Sequence, residues 1–197
     1  MIAAALNRRL DGVDRRAMAT LSAGHLFTDI SQGAVPALLV PVIQAQHITI
    51  AAAEGLVLAA TISSSVIQPL FGHLSDQRSL PWLMPLGPGL GGLGIALAGL
   101  APTYWLTFAA IVLSGLGVAS FHPEGSRFAN YVSGHRRASG MSLFSVGGNL
   151  GFALGPVIVT PLVIAFGLHG TVFVLIPTWL MAAVLIHELP HLQRFRG

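Results

Sequence analysis

Six stretches of apolar sequence, each long enough to cross a lipid bilayer, dominate this chain of 197 residues. An α-helix needs about 20 predominantly apolar residues to span the hydrocarbon core. The stretches run approximately from Ala17 to Gln44, Ala51 to Leu74, Trp82 to Ala101, Tyr104 to Phe121, Ala138 to Gly167 and His169 to Leu189. Only 9% of the residues are charged and 53% are hydrophobic, whereas soluble domains carry roughly 25% charged residues. The sequence therefore predicts an all-α membrane protein with six transmembrane helices.

The arginines lie on alternate connections between these spans. The segment before the first span has four, the connection after the second has one, the connection after the fourth has three, and the tail has two. The connections after the first, third and fifth spans have none. The positive-inside rule places such arginines in the cytoplasm. We therefore expect a cytoplasmic lead over residues 1–16, a six-helix bundle over 17–189 and a cytoplasmic tail over 190–197.

Composition argues against several classes of function. The chain has no cysteine, which excludes disulfides, thiol catalysis and cysteine-based metal sites. It also has no lysine, and its ten arginines are dispersed, so the basic character reflects membrane orientation rather than nucleic-acid binding. No small-residue cleavage site follows the basic amino terminus at the distance a signal peptide needs. We expect no cofactor and no metal ion.

The first span contains His25, Asp29 and Gln32, at a spacing that places them on one helical face. Ionisable side chains inside a membrane span are costly and usually face a cavity or the bundle interior. An aspartate in such a position can load and release a proton, with the histidine beside it. The alternative is purely structural, in which His25 and Asp29 satisfy each other across one helical turn.

The fourth span ends in the sequence Phe-His-Pro-Glu-Gly, with His122 and Glu124 on either side of Pro123 and Arg127 shortly after. Proline removes a helical hydrogen bond, so we expect the helix to break or fray here. His122, Glu124 and Arg127 would then line the cytoplasmic mouth of the bundle. The alternative is an ordinary helix terminus with interfacial charges.

Two further patterns involve glycine. Gly147, Gly151 and Gly155 recur every four residues in the fifth span and are followed by Pro156. Small residues at this spacing let membrane helices approach closely. The connection after the second span contains Gly72, Asp76 and Arg78, in which the charges can pair with helix ends or with each other.

Together these motifs resemble the major facilitator superfamily of transporters. The connection from Gly72 to Arg78 is similar to its cytoplasmic loop signature, and Gly151-Phe-Ala-Leu-Gly155-Pro156 is similar to its fifth-helix antiporter signature. The runs Gly115 to Gly125, Ser142 to Gly151 and His25 to Asp29 resemble fosmidomycin-resistance-type exporters. The resemblance covers nearly the whole chain. It implies the amino-terminal half of a twelve-helix fold, built from two inverted three-helix repeats.

The resemblance also implies a function. It predicts proton-coupled efflux of a small drug-like molecule such as fosmidomycin across the cell inner membrane, with His25 and Asp29 handling the proton. The expected partners are the lipid bilayer, protons, the small-molecule substrate and either a second six-helix half or another copy of the chain. Arg127 could attract an anionic substrate. Many drug exporters carry an arginine in the fourth helix, but Ile111 occupies that place here, so coupling through such an arginine is not expected.

Two alternatives remain at this point. One is a non-transporting truncated fragment or a regulatory half. The other is an intramembrane serine protease, with Ser114 as nucleophile and His187 as base. The protease is disfavoured, because Val112 replaces the glycine expected two residues before the serine, and because the two side chains are predicted to lie at different depths.

Overall fold

The computed structural model describes residues 12–195 and confirms the all-α prediction, since every regular element in that range is helical. The helices are α1 (Arg15–Gln46), α2 (Ile50–Thr61), α3 (Gln68–Gln77), α4 (Leu83–Leu100), α5 (Tyr104–Val132), α6 (Arg137–Phe166) and α7 (Leu175–Leu192). A π-helical segment at Ile62–Val66 lies between α2 and α3, and 3-10 segments at Gly167–Val174 and Gln193–Phe195 flank α7. Residues 1–11, including Arg8 and Arg9 of the expected lead, and Arg196 of the tail lie outside the described residues.

Five segments of the described chain are long and apolar enough to cross a membrane. They are α1, the continuous stretch from α2 to α3, α4, α5, and a final stretch from Arg137 to Phe195 that contains both α6 and α7. The expected fifth and sixth spans both fall within this last stretch. The chain is therefore a multi-pass helical membrane protein, and six separate crossings stay a prediction.

Contacts between distant parts of the chain bring several helix ends to one end of the bundle. Near the start of α1, Arg16 forms two hydrogen bonds of 2.6 and 2.9 Å to Glu188, which lies near the end of α7. The backbone N–H of Asp14 donates to the carbonyl oxygen of Val132, at the end of α5. We name this end, made of residues 12–16, 132–137 and 188–195, the Arg-rich end. This end contains arginines from the start of the chain, from the connection before α6 and from the tail, which the sequence had placed on one side of the membrane.

The three glycines at four-residue spacing lie where α6 packs along α1. A Cβ atom added at Gly147, Gly151 or Gly155 would lie 2.3, 2.1 or 2.5 Å from backbone atoms of α1. Side chains larger than hydrogen are excluded at such distances, because real Cβ contacts below 3.0 Å essentially do not occur. The two backbones therefore touch along this face, which is how membrane helices associate without a hydrophobic driving force. Pro156 follows within the same helix, which continues to Phe166.

Two apolar clusters fill the interior. One lies toward the Arg-rich end and includes Met18, Phe128 and Leu192. The other includes Leu38 and Val159 and belongs to the opposite half of the bundle. Along α1, the polar residues from His25 to Gln32 lie between the two clusters, so the most polar part of this helix is placed inside the bundle.

One expected helix break is wrong. The fourth span does not break at Pro123, because α5 continues through it to Val132. Proline is tolerated inside membrane helices, where neighbouring groups compensate for the missing hydrogen bond. The helix α3 extends a little beyond the approximate end of the second span at Leu74, to Gln77. Gly72 and Asp76 of the loop signature therefore lie on a helix, and Arg78 is its carboxyl-terminal cap.

Candidate functional site

Three ionisable side chains meet inside the bundle, two from α1 and one from α5. The Nε2 atom of His25 lies 3.3 Å from Oδ2 of Asp29. The Nε2 atom of His122 lies 3.5 Å from the other carboxylate oxygen of Asp29 and 3.1 Å from Nε2 of His25. We name these three residues the His-Asp-His cluster. His122 thus joins the pair on α1, and the role predicted for it at the cytoplasmic mouth stays a prediction.

Backbone carbonyl groups fix how the two imidazoles can hydrogen-bond. Nδ1 of His25 lies 2.9 Å from the carbonyl oxygen of Phe144 on α6, and Nδ1 of His122 lies 2.7 Å from that of Val118. A carbonyl oxygen only accepts hydrogen bonds, so both Nδ1 atoms must carry the hydrogen and donate it. In the neutral form of each ring, Nε2 is then an acceptor. The cluster therefore directs two imidazole acceptors and a carboxylate at one another.

The surroundings of the cluster are apolar and tightly fitted. His25 and Asp29 are each only 8% exposed. The ring of Phe144 stacks on His25 with centroids 4.2 Å apart, and the Phe121 ring lies 5.9 Å away. At Gly148 of α6, an added Cβ would lie 2.3 Å from Nε2 of His25 and 2.8 Å from Oδ2 of Asp29. Glycine at this position therefore leaves the space that the cluster occupies.

The cluster could also hold a metal ion on spacing alone. One ligand atom from each of its three residues lies within 4.8 Å of the others. Two imidazoles and a carboxylate are a donor set that binds divalent transition metals. The sequence led us to expect no metal, and it did not reveal that His122 lies beside the pair on α1.

Gln32, the third polar residue on this face of α1, contacts the second span and not the cluster. Its side-chain amide lies 3.5 Å from Oγ of Ser64. Ser64 belongs to the π-helical segment Ile62–Val66, in which three consecutive serines occur. Single π-helical turns are frequent at functional sites, and this one places a hydroxyl beside Gln32. Sequence reasoning did not identify this segment.

Glu124 and Arg127 belong to a second network near the connection between α3 and α4. Glu124 is fully buried; one carboxylate oxygen accepts a hydrogen bond from the backbone N–H of Leu80, and the other lies 3.7 Å from Arg127. Arg127 also donates to Asp76 at 2.9 Å and to the carbonyl oxygen of Ser75. Arg127 is therefore engaged with α3, which weakens the expectation that it attracts an anionic substrate. The network holds α3 and the following connection against α5.

Two other members of the loop signature are not part of this network in the contacts of residues 12–195. Gly72 faces mostly open space, since an added Cβ would meet only Cβ of Pro123 at 4.0 Å. Arg78 ends α3 with an extended backbone, and its N–H donates to the carbonyl oxygen of Leu74.

Comparison with known families decides what kind of protein carries these sites. The family model described as Major Facilitator Superfamily matches residues 21–194. The chain belongs to the Major Facilitator Superfamily. This membership confirms the resemblance to the superfamily that was read from the sequence.

Several curated proteins are similar to this superfamily member. The Fosmidomycin resistance protein of Escherichia coli (strain K12) is 31% identical over 173 residues, which cover 87% of this chain and 42% of that protein. The Uncharacterized MFS-type transporter YfnC of Bacillus subtilis (strain 168) is 32% identical over 149 residues, or 76% of this chain and 36% of the relative. Protein spinster of Drosophila melanogaster is 31% identical over 99 residues, or 48% and 16%. The chain spans less than half the length of the relatives it matches.

The geometry also disfavours the protease alternative. The Oγ atom of Ser114 is buried and donates to the carbonyl oxygen of Gly91 at 3.0 Å. His187 is exposed on α7. A nucleophilic serine needs its base within hydrogen-bond reach, and this serine instead joins α5 to α4.

Sequence reasoning missed one member of the candidate site, Gly148, and did not bring His122 together with the pair on α1. His122 was noted, but the expected break at Pro123 placed it at the mouth. The available signal was that both the first and the fourth spans contain a histidine and a carboxylate, and helices one and four occupy equivalent places in the two repeats implied by the resemblance. Gly148 was missed because the four-residue glycine pattern directs attention to its neighbour Gly147.

Proposed function

We propose that the chain is one half of a proton-coupled exporter that moves a small drug-like molecule across the cell inner membrane. Both ends of the chain would lie in the cytoplasm, with the Arg-rich end on that side, as the positive-inside rule requires. A second six-helix half, or another copy of the chain, would complete the transport path. The name of the Escherichia coli relative supports fosmidomycin as a first substrate to test.

The observation that carries the proton-coupling proposal is the buried carboxylate of Asp29 with an imidazole on either side. Charged groups at membrane depth are rare and mark ion and proton pathways. A purely structural His25–Asp29 pair would need no third ionisable group from another helix. Both oxygens of Asp29 face an imidazole Nε2 atom, at 3.3 and 3.5 Å, so a proton can pass between carboxylate and imidazole once one of these contacts shortens to a hydrogen bond.

In the proposed cycle, the cluster takes a proton from the outer side and gives it up to the cytoplasm. Alternating access requires that the loaded and unloaded forms favour different arrangements of the helices. Because the cluster joins α1 to α5, a change in its charge acts directly on the contact between these helices. Drug would leave the cell in exchange for the entering proton.

The test is drug efflux by a complete assembly in cells. The chain would be expressed alone and together with the carboxyl-terminal half of the Escherichia coli relative, in a strain lacking that relative. Drug retention and growth inhibition by fosmidomycin would be measured with and without a proton gradient. We expect efflux from the assembly, and loss of efflux in Asp29→Asn.

The matched control is Glu54→Gln, which removes an exposed carboxylate from α2 and should leave efflux unchanged. Proton-dependent efflux that persists undiminished in Asp29→Asn would remove the proposed role of this carboxylate. Failure of every assembly to move the drug, with the protein correctly inserted, would instead support the reading as a non-transporting fragment or regulatory half.

A further inference from the structure

We propose that the His-Asp-His cluster binds one divalent transition metal ion of the zinc class. The ligands are Nε2 of His25, Nε2 of His122 and the carboxylate of Asp29, so the ion joins α1 to α5. This inference goes beyond the proposed function, since it requires neither a proton nor a transported drug. It replaces the sequence-based expectation that the chain holds no metal.

The three converging groups of the cluster all offer lone pairs. Both Nδ1 atoms donate their hydrogen to backbone carbonyl oxygens, at 2.9 Å for His25 and 2.7 Å for His122, so both Nε2 atoms are acceptors in the neutral rings. An ionised carboxylate also only accepts. A hydrogen bond joins only two of these groups, whereas a metal ion accepts lone pairs from all three. Metal-binding histidines almost always donate their other ring N–H to a carbonyl, a carboxylate or water, as both imidazoles do here.

The carboxylate of Asp29 lacks a donor within the described chain. Asp29 is 8% exposed, and among residues 12–195 its buried Oδ1 atom has no hydrogen-bond partner. Its two oxygens lie 3.3 and 3.5 Å from the Nε2 atoms, beyond the range of about 2.7–3.2 Å usual for N–H donors. Leaving a buried charged acceptor unsatisfied is costly. A cation between the carboxylate and the imidazoles removes that cost.

The separations between the ligand atoms match those around a tetrahedral ion. Zinc binds nitrogen and oxygen ligands at about 2.0–2.2 Å, so two ligand atoms of a tetrahedron lie about 3.3–3.6 Å apart. The two Nε2 atoms are 3.1 Å apart, and they lie 3.3 and 3.5 Å from different oxygens of Asp29. Both Nε2–oxygen separations fall within the tetrahedral range, and the Nε2–Nε2 separation is only about 0.2 Å below it. The carboxylate can reach the ion through either oxygen or through both.

The donor set also indicates which class of ion binds. Two histidines and a carboxylate, with a water in the fourth position, are the ligands of open zinc sites. Calcium and magnesium prefer oxygen ligands, so the imidazole pair disfavours them. The side chain of His122 is 21% exposed, against 10% for His25 and 12% for Asp29. The entry path and the water position therefore lie on the His122 side of the cluster.

A bound ion has a consequence for both helices. Coordinate bonds to residues of α1 and α5 hold these helices together more firmly than the contacts of the side chains alone. The ion also occupies the carboxylate of Asp29, so a filled metal site and a proton on this carboxylate exclude each other.

Zinc binding to the purified chain tests the inference. The chain would be prepared in detergent with an affinity tag that contains no histidine, stripped of metal with a chelator and titrated with Zn²⁺ by calorimetry. We expect one equivalent of zinc per chain and a higher unfolding temperature with zinc present. His122→Gln should weaken binding by more than about 100-fold, because even second-shell partners of zinc contribute about 10- to 100-fold. The matched control is His73→Gln, which removes an exposed histidine of α3 and should bind zinc as the parent chain does.

X-ray absorption at the zinc edge of the parent chain decides the matter even where His122→Gln fails to fold. We expect nitrogen and oxygen ligands at about 2.0–2.2 Å, with scattering from two imidazole rings. Absence of zinc binding, bound zinc without two imidazole ligands, or unchanged binding in His122→Gln would overturn the inference. If zinc does not bind while Asp29→Asn still abolishes efflux, the metal site fails and the proposed function stands. If zinc binds to a chain whose assemblies never transport, the metal site stands and the proposed function fails.

Discussion

Replacement of Gly151 by alanine should destabilise the bundle, because this glycine lies where α6 packs directly against the backbone of α1. An alanine Cβ would lie 2.1 Å from the carbonyl oxygen of Leu26, whereas ordinary contact begins at 3.4 Å. The two helices would have to separate locally by about 1.3 Å, the difference between these distances. The obstacle is backbone and cannot rotate away. Overpacking of this kind costs about 1–3 kcal/mol, which lowers the ratio of folded to unfolded protein about 5- to 150-fold.

The matched control is Gly89→Ala on α4. A Cβ there would meet only Cβ of Ala182, at 3.9 Å, so the substitution adds a methyl group without a clash. Alanine is preferred to glycine in a helix by about 0.5–1 kcal/mol, so the control should be neutral or slightly stabilising. The free energy of unfolding would be measured for both variants by reversible titration with a denaturing detergent in mixed micelles. Equal stability of the two variants would refute the close α1–α6 packing.

Three further predictions follow from particular contacts. Glu124→Ala leaves the partly buried N–H of Leu80 without its acceptor and should cost about 1–3 kcal/mol in the same unfolding assay. Asp76→Ala removes an exposed ion-pair partner and should cost less than about 1 kcal/mol; equal losses would contradict the burial of Glu124. Because the chain has no cysteine, the single variants H135C and T103C can be labelled in intact cells with a membrane-impermeant maleimide. Only T103C should react from outside. Reaction of both variants, or of H135C alone, would contradict the proposed orientation. Gly148→Ala should displace His25 and reduce efflux by the assembly while the protein remains inserted, and normal efflux would show that the tight fit around the cluster is not needed.

Sequence reasoning captured the features that follow from solvent and chain direction. Apolar length identified the membrane helices because lipid permits few other structures. Arginine placement predicted the Arg-rich end, because each membrane crossing carries the chain to the opposite side. Alternate connections therefore lie at the same end of the bundle. The glycines of α6 were predicted to lie on a packing face, because residues four apart lie on one side of a helix and because glycine lets another backbone approach closely.

Sequence reasoning could not show which side chains meet between helices. Gln32 and Asp29 share a face of α1, yet one contacts the π-helical segment and the other contacts α5. The π-helical segment itself has no clear sequence signal, because an extra residue per turn depends on packing around Ser63 and Ser64. The continuation of α5 through Pro123 is likewise decided by its neighbours. That single misjudged boundary separated His122 from the partners that the folded chain gives it.

The continuation of α5 through Pro123 also determines how protonation of the His-Asp-His cluster could affect other parts of the fold. If α5 ended at Phe121, His122 would be a residue of a loose terminus, and protonation there would change only a local contact. Because α5 continues to Val132, His122 lies within a continuous helix that also carries Glu124 and Arg127, and these two residues hold α3 and the connection to α4. A shift of α5 caused at the His-Asp-His cluster therefore has to move the contacts at Asp76 and Leu80 as well. Efflux measured in Glu124→Ala separates this coupling from stability alone: we expect efflux to fall further than the amount of folded protein does, and an equal fall in both would assign Glu124 to stability only.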